Sequence, residues 1–403
     1  MLAVRAERAF DGEQAVPGGA LVLTDGGRIV GIEPRSAPAP DGWPVAEAPG
    51  ATLLPGLVDT HVHLCADGRD GALDRLPDRG DAELDGVIER ALGEQLAAGV
   101  TTVRDLGDRR WAVVAWRDRL AAGNGGPRHP TIVASGPPVT SPGGHCWHMG
   151  GEAAGVAQLR QAVRERAERR VEVVKVMASG GHNTPGTDIM TCQFTLEELR
   201  AVVEEAHARG LPVTAHAHGL PAVEQALAAG VDGVEHGSCL TPTGIQQPDQ
   251  LLEDLAARQV VVCPTVGWAP GVPLAIAPAV AARMAQAGLT LEAFRAALGR
   301  VHRAGIRLVA GSDAGIAAAK PHGVLPETVV ALVEAGVPAA EALAAATSGA
   351  AQACGLGDRK GRLRVGYDAD LLLVDGDPLA DPGALRRVAT VVLRGAMADV
   401  AQR

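Results

Sequence analysis

The run Leu53-Leu54-Pro55-Gly56-Leu57-Val58-Asp59-Thr60-His61-Val62-His63-Leu64 is largely apolar and carries two histidines two positions apart near its end. It reads as a strand over Leu53–Leu64, and in a strand that spacing puts both imidazoles on one face. Seven more short, β-branched runs follow it: Thr101–Leu106, Thr131–Ser135, Val171–Met177, Leu211–His216, Gly233–His236, Val260–Cys263 and Ile306–Ala310. They recur at intervals of about 20 to 45 residues with Ala-rich helical patterns between them, the arrangement of a (β/α)8 barrel. Val171-Glu172-Val173-Val174-Lys175-Val176 has the near-continuous apolar character of a parallel strand covered on both faces. Among the helices, Thr195-Leu196-Glu197-Glu198 is a capping box that opens Leu196–Ala208, and Gly210 closes it.

The two ends read differently. Residues 1–50 alternate apolar and polar with turns at Asp11-Gly12 and Asp25-Gly26-Gly27, which predicts short antiparallel strands. Residues 361–403 resume that style, with strands at Asp370–Val374 and Val388–Leu393. The expected architecture is therefore α/β: a TIM-like barrel over 53–358, and a small β-sandwich domain built from 1–52 and 359–403. Only 2% of the residues are aromatic, so the core has to be Ala, Val and Leu. A net charge of −10 lacks the basic stripe of a nucleic-acid binder. Met1–Arg8 has no apolar core of a signal peptide. The uncharged stretch Val260–Ala282 is broken by Pro264, Pro270, Pro273 and Pro278, so it reads as a buried strand and a long loop, not a membrane span. Six cysteines without a CxxC pair fit reduced thiols in a cytoplasm. The expectation is a cytoplasmic chain that engages neither nucleic acid nor membrane.

The chemistry-bearing residues fall at the C-terminal ends of the expected strands, where barrel active sites are built. His61 and His63 end the first strand, His216 the fifth, His236 the sixth and Asp313 the eighth, while Lys175 interrupts the apolar fourth. Four imidazoles and a carboxylate converging on one cavity suit a divalent transition metal such as zinc.

Taken together, Pro55–His63, Lys175-Val176-Met177-Ala178-Ser179-Gly180-Gly181, Ala215-His216-Ala217-His218-Gly219, Glu235-His236-Gly237 and Gly311-Ser312-Asp313-Ala314-Gly315 resemble the amidohydrolase superfamily. The likeness is to its imidazolonepropionase-like branch, which includes Lys-containing dipeptidases, and the tail segments Gly361–Leu373 and Asp375–Pro378 extend it over nearly the whole chain. The resemblance implies a binuclear centre: His61 and His63 on the more buried ion, His216 and His236 on the more exposed one. Lys175, carbamylated by carbon dioxide, would bridge the two, and Asp313 would bind the first ion and the nucleophilic water. Zinc is the implied metal, with manganese or iron as alternatives. A metal lowers the pKa of its water enough to give hydroxide at neutral pH, and Asp313 can pass the proton on to a leaving nitrogen. The implied activity is hydrolysis of an amide in a small N-acyl amino acid, dipeptide or lactam. A deaminase, or an ester, lactone or carbamate hydrolase on the same centre, is the alternative, and a non-catalytic scaffold the third reading. Dimers are common in the family.

In relatives, a His in the position of His145, within Gly143-Gly144-His145, faces the substrate, which implies that His145 polarises its carbonyl or binds its carboxylate. Dipeptidases of this kind often carry a Tyr shortly after the sixth-strand His; this chain has His236-Gly237-Ser238-Cys239-Leu240 and its single Tyr, Tyr367, in the tail. His218 shares a strand face with His216 and is a candidate substrate contact, as is His322 in a loop at the same end. His148 and His182 occupy loops at that end as well. Trp147 and Trp268 are the expected aromatic walls, whereas Trp111 and Trp116 pack, and His129, His207 and His302 are structural. Cys65, Cys146, Cys239 and Cys263 read as small pocket-lining residues. The polar segment Cys65–Asp85 is either a lid or a solvated loop.

Overall fold

The computed structural model describes residues 1–123, 128–273 and 278–398. Central strands lie at Leu57–Val62, Val100–Asp105, Thr131–Ala134, Val174–Met177, Val213–Gly219, Gly233–Thr241 and Val261–Cys263, called first to seventh below. The first three form one parallel sheet in the order third-second-first. The fourth to seventh form another in sequence order, again parallel. Val139, beyond the third strand, bridges Val176 of the fourth, and its N–H donates to Lys175 O at 2.8 Å. First and second strands are buried along their whole length, as parallel strands covered on both faces are.

The expected eighth strand, Ile306–Ala310, is reduced to isolated pairings. Leu308 bridges Val262 of the seventh strand and Ala314 bridges Val62 of the first. A regular ladder fails here for two reasons. The Ala310 N–H is taken by Ala345 O of the helix Ala339–Ala345, and Asp313 turns into the left-handed region at φ 59°.

The expected strand Leu53–Leu64 is two strands. Ala51–Pro55 pairs with Leu371–Asp375 in a terminal sheet, and Leu57–Val62 belongs to the centre. Gly56 makes the break: its N–H turns to Asp370 O, and a Cβ at this position would overlap the Thr101 side chain. The six-stranded terminal sheet runs Ala396–Met397, Val388–Leu393, Leu371–Asp375, Ala51–Pro55, Arg8–Phe10, Ala15–Val16, and so joins both ends of the chain. A second sheet of four strands runs Arg28–Glu33, Ala20–Asp25, Leu2–Ala6, Val45–Glu47. The two share a core of Val4, Val22 and Ile29 with Leu53, Leu371, Leu373 and Val392. Pairing at the ends is not all antiparallel as expected, because Leu2–Ala6 with Val45–Glu47 and Arg8–Phe10 with Ala51–Pro55 run parallel.

The capping box is present: Thr195 Oγ1 accepts from Glu198 N and Glu198 Oε2 from Thr195 N, opening the helix Leu196–His207. That helix buries Leu199, Val202, Val203 and Ala206 against the fourth and fifth strands. The uncharged stretch 260–282 contains the seventh strand, irregular chain to 273 and a helix, Pro278–Gln286, with 274–277 outside the described residues. No helix among the described residues is long and apolar enough to cross a membrane. Residues 65–85 are folded rather than a plain loop. Leu73 and Leu76, on two short helical turns, are buried against Cys146, Met149 and Met177.

Two outcomes test this packing. Gly56→Ala should destabilise by about 1–3 kcal/mol through overpacking against Thr101, seen as a lower urea midpoint at unchanged slope. Glu205, on the Leu196–His207 helix, is held below the usual carboxylate range by Arg164, Arg160 and Arg209, with burial opposing them. A depressed acid adds stability above its unfolded pKa and loses it as pH falls through the folded value. Glu205→Gln should therefore flatten the acid limb of the stability profile below about pH 4 and leave its shape above pH 5 unchanged.

Candidate metal centre

Each of the four predicted ligand histidines has one ring nitrogen tied to the protein and the other turned to a common centre. His61 Nδ1 lies 2.8 Å from Glu235 Oε2, and its Nε2 is 3.4 Å from Asp313 Oδ1. His63 Nδ1 lies 3.1 Å from Gly107 O, and its Nε2 is 3.3 Å from the same Asp313 oxygen. His216 Nε2 donates to Gly180 O at 3.0 Å, which leaves Nδ1 2.9 Å from His236 Nε2. His236 Nδ1 is paired with Thr265 Oγ1 at 2.8 Å. Hydrogen bonds of this kind on the far nitrogen fix the tautomer of a metal-binding histidine and aim its lone pair.

Three clusters of possible donors result among the described residues: the donor groups His61/His63/Asp313 and His216/His218/His236, with the His61 and His236 ring centroids 5.5 Å apart, and His61/Glu235/Cys263, whose carboxylate is already paired with the His61 ring. Both the inventory and the charge state fit divalent transition ions, which take neutral imidazole and carboxylate. Burial lowers His61 to about 4 and His218 to about 3, and it lowers His216 and His236 well below their ordinary value. His63 is the exception: burial pushes it down, but Asp313 beside it leaves it above the ordinary value. Burial would raise the Asp313 carboxyl, yet His61 and His63 hold it well below the usual range.

Lys175 is the sixth residue singled out by the sequence. It is 1% exposed, and its Nζ has no hydrogen-bond partner among the described residues. Burial lowers its pKa, and its charge acts on His61, His145 and His218 alike, so it stands among both groups. An unpartnered amine in such a place is costly unless something else engages it.

Of the other predicted residues, His145 and His218 lie directly against these imidazoles. His145 is buried with Nδ1 2.8 Å from Thr184 Oγ1, its ring 4.5 Å from that of His216. Gly181 is needed for this, since any Cβ would strike the His145 ring. His218 stacks on His236 with centroids 4.3 Å apart, and its Nδ1 meets Ser238 Oγ at 3.1 Å. His182 is exposed and 5.6 Å from His218. His148 is buried on the short helical turn Trp147–Met149. Trp147 is 45% exposed, whereas Trp268 is half-buried under the Lys320 ammonium. His322 is buried behind the rim, where its Nε2 donates to Ala66 O at 2.9 Å. His207 pairs with Asp232 and His302 with Glu341, pairings that engage both histidines away from the donor groups. The thiols are chemically quiet: burial pushes Cys146 and Cys239 up to about 12 and Cys65 and Cys263 well above their ordinary value.

Sequence reasoning passed over Glu235 and Arg104. Glu235 joins His61 to Arg104, whose guanidinium is 3.0 Å from Glu235 Oε1, and it accepts from Thr214 Oγ1 at 2.6 Å. The signal was there: Arg104 is a charge inside a fully buried strand, the same anomaly that singled out Lys175. Lys320 was also passed over, although the chain has only three lysines, Lys175, Lys320 and Lys360, all of them buried.

The sequence model of the amidohydrolase family matches residues 52–398. An uncharacterized protein of Mycobacterium tuberculosis is 30% identical over 86% of this chain and 85% of its own. Ochratoxinase of Aspergillus niger is 28% identical over 82% of this chain and 71% of its own. The solved structure of a Xaa-Pro dipeptidase with bound methionine in the active site superimposes with a TM-score of 0.84 at 25% identity, over 98% of this chain and 99% of the other.

If Glu235 aims His61, Glu235→Gln should weaken divalent-metal retention by about 10–100-fold, measured by competition with a chromophoric chelator. Retention equal to wild type would remove that role.

Proposed function

The chain belongs to the amidohydrolase family and is a metal-dependent hydrolase acting on carbon–nitrogen bonds, and from that premise we propose that it cuts an amide in an N-acyl amino acid, a dipeptide or a lactam. The observation that carries the reading is the ring of inward-turned donors around Asp313 and the unpartnered Lys175 Nζ. The amide is favoured because the dipeptidase neighbour acts, by its name, on dipeptides and holds an amino acid in its active site. His61, His63 and Asp313 would hold one ion, and His216 and His236 a second, with zinc the first metal to load. Lys175 would join them as a carbamate: its neutral amine adds to carbon dioxide, a C–N bond forms and one proton leaves. Burial, which favours the neutral amine, supports this.

When bound, such ions supply Lewis acidity and lower the pKa of a coordinated water from 15.7 to roughly 7. Asp313 Oδ1, facing His61 and His63, takes a proton from the attacking water and delivers it to the leaving nitrogen. Thr184 fixes His145 Nδ1 and leaves Nε2, beside the protonated Cys146 thiol, to donate to the substrate carbonyl or carboxylate. His218, Trp147, Trp268 and the unpartnered Nδ1 of His322 are the proposed further contacts. Because the six central side chains are buried, substrate enters only when part of the cover moves, and the segment 65–85 is its proposed moving part.

The fold is read in the same way. Family and solved structures imply a TIM-type barrel with an extra domain. We take residues 306–314 as the closure between seventh and first strands, with the barrel at 57–358 and the satellite sandwich at 1–55 and 359–403; the expected boundary at 52/53 shifts because Ala51–Pro55 pairs with Leu371–Asp375. The cysteines of the structure are all free, which supports a reducing cytoplasm.

The test is a panel of N-acyl amino acids, dipeptides, lactams and lactones offered to zinc-loaded protein. Asp313→Asn should lower turnover of whichever amide is cut by about 10²–10⁴-fold. Two metals per chain should fall to one or none in Lys175→Ala, and ¹³C-bicarbonate should give a single carbamate resonance that the variant lacks. Wild type without metal, or hydrolysis unchanged in Asp313→Asn, would sink the reading.

A further inference from the structure

Lysine is scarce here, and its three positions are used differently. Lys360 behaves as a structural buried lysine does, paired with Asp370 and with Asp368 at 3.0 Å. Lys320 sits seven residues beyond Asp313 and directs its hydrogen bonds to backbone carbonyls instead: Thr265 O at 2.6 Å and Ser312 O at 2.9 Å. The indole of Trp268 lies 4.9 Å from its Nζ, so the third N–H faces a ring. The ammonium is thus fully engaged and presents nothing to a substrate carboxylate.

What it holds is unusual backbone. Thr265 and Asp313 are both non-glycine residues in the left-handed region, at φ 48° and 59°. Such conformations persist only where surrounding contacts over-determine them, and they gather at active sites. One gripped carbonyl belongs to Thr265 itself, and the other to Ser312, whose peptide bond sets the φ of Asp313. Thr265 Oγ1 in turn fixes His236 Nδ1, and Asp313 Oδ1 faces His61 and His63. One ammonium therefore spans the seventh- and eighth-segment tops and controls a residue of each donor group.

We propose that Lys320 is a positioning residue: by clamping the carbonyls of Thr265 and Ser312 it holds the strained backbone that aims Asp313 at the centre and orients His236 through Thr265. This rests on the metal-hydrolase reading, and it assigns Lys320 no contact with substrate. Lys320→Met removes the clamp at nearly constant length. Misplacing catalytic groups by about an ångström can cost on the order of 10²-fold in rate, so kcat should fall by about 10–100-fold with KM within about threefold.

Cobalt(II) replaces substrate as the independent probe. Its visible absorption reports ligand geometry, and Lys320→Met should take up cobalt with a changed spectrum. Lys360→Met serves as the comparator, expected to lose stability while keeping wild-type spectrum and kcat. An unchanged spectrum and kcat in Lys320→Met would overturn the proposal, as would equal changes in Lys360→Met. Wild type that takes up no cobalt would overturn the metal reading first, and this inference with it. A measurement on wild type stands even if Lys320→Met does not fold. In ¹⁵N-lysine protein, two ammonium groups should show slowly exchanging protons at neutral pH, one of them absent in Lys360→Met. Finding only the Lys360 signal would mean that Lys320 is not clamped.

Discussion

Glu235 is where four strands meet beneath the centre: its carboxylate, on the sixth strand, binds His61 of the first, Arg104 of the second and Thr214 of the fifth. Arg104 continues outward through Nε to Thr60 O, so the network also clamps the backbone just before His61. Ionic groups in such a place have a large desolvation cost, and a hydrophobic plug would serve stability as well or better. What the polar plug does that an apolar one cannot is leave His61 a single tautomer and a single ring orientation. The same logic repeats with weaker partners at His63, His216 and His236, where a carbonyl or a hydroxyl stands in for the carboxylate.

The surroundings follow from that requirement. Donor atoms aimed to within a few tenths of an ångström need backbone that does not relax, which is why left-handed residues collect here: His236 at φ 68°, Asp313 at 59°, Cys146 at 57° and Thr265 at 48°. They also need neighbours without side chains. Gly107 and Gly181 lie against the rings of His63 and His145, where a methyl group would displace the imidazole. Above the centre, the first and last loops are stitched together. Gly68 N donates to Gly315 O, Ala318 N to Asp70 Oδ1 and His322 Nε2 to Ala66 O. The chain that carries Asp313 and the segment 65–85 are therefore joined by three hydrogen bonds.

Periodic features were legible in the sequence. The parallel strands betrayed themselves as apolar runs, the Thr195 helix by its capping box, and the histidines by falling where such runs end. Features set by tertiary contact were not. Ala51–Pro55 and Leu57–Val62 are both apolar, with Pro55-Gly56 the local sign of a break; that the halves join different sheets is set by the Gly56 N–H bond to Asp370 O and the Thr101 side chain pressed against Gly56. Ile306–Ala310 has the composition of a strand, but the fold diverts the Ala310 N–H to a helix carbonyl. The candidate ligands stand out as residue types out of place, whereas Thr184 and Thr265 are ordinary residues whose role exists only across strands; Glu235, like Arg104, is a charge in a buried stretch of strand. Lys320 lies between these cases, unremarkable in its loop and conspicuous only against a chain that otherwise uses arginine.

That preference shapes the outside of the molecule as much as its centre. With 37 basic residues, of which only three are lysine and all three are buried, the folded surface carries guanidinium groups and, apart from the amino terminus, no primary amine. Guanidinium stays protonated at every physiological pH, so aldehydes, activated esters and cyanate find almost no nucleophile there. Side-chain amines are confined to the interior, at Lys175, Lys320 and Lys360. The three lysine amines become open to such reagents only when the fold opens, so amine labelling of this chain reports unfolding and little else.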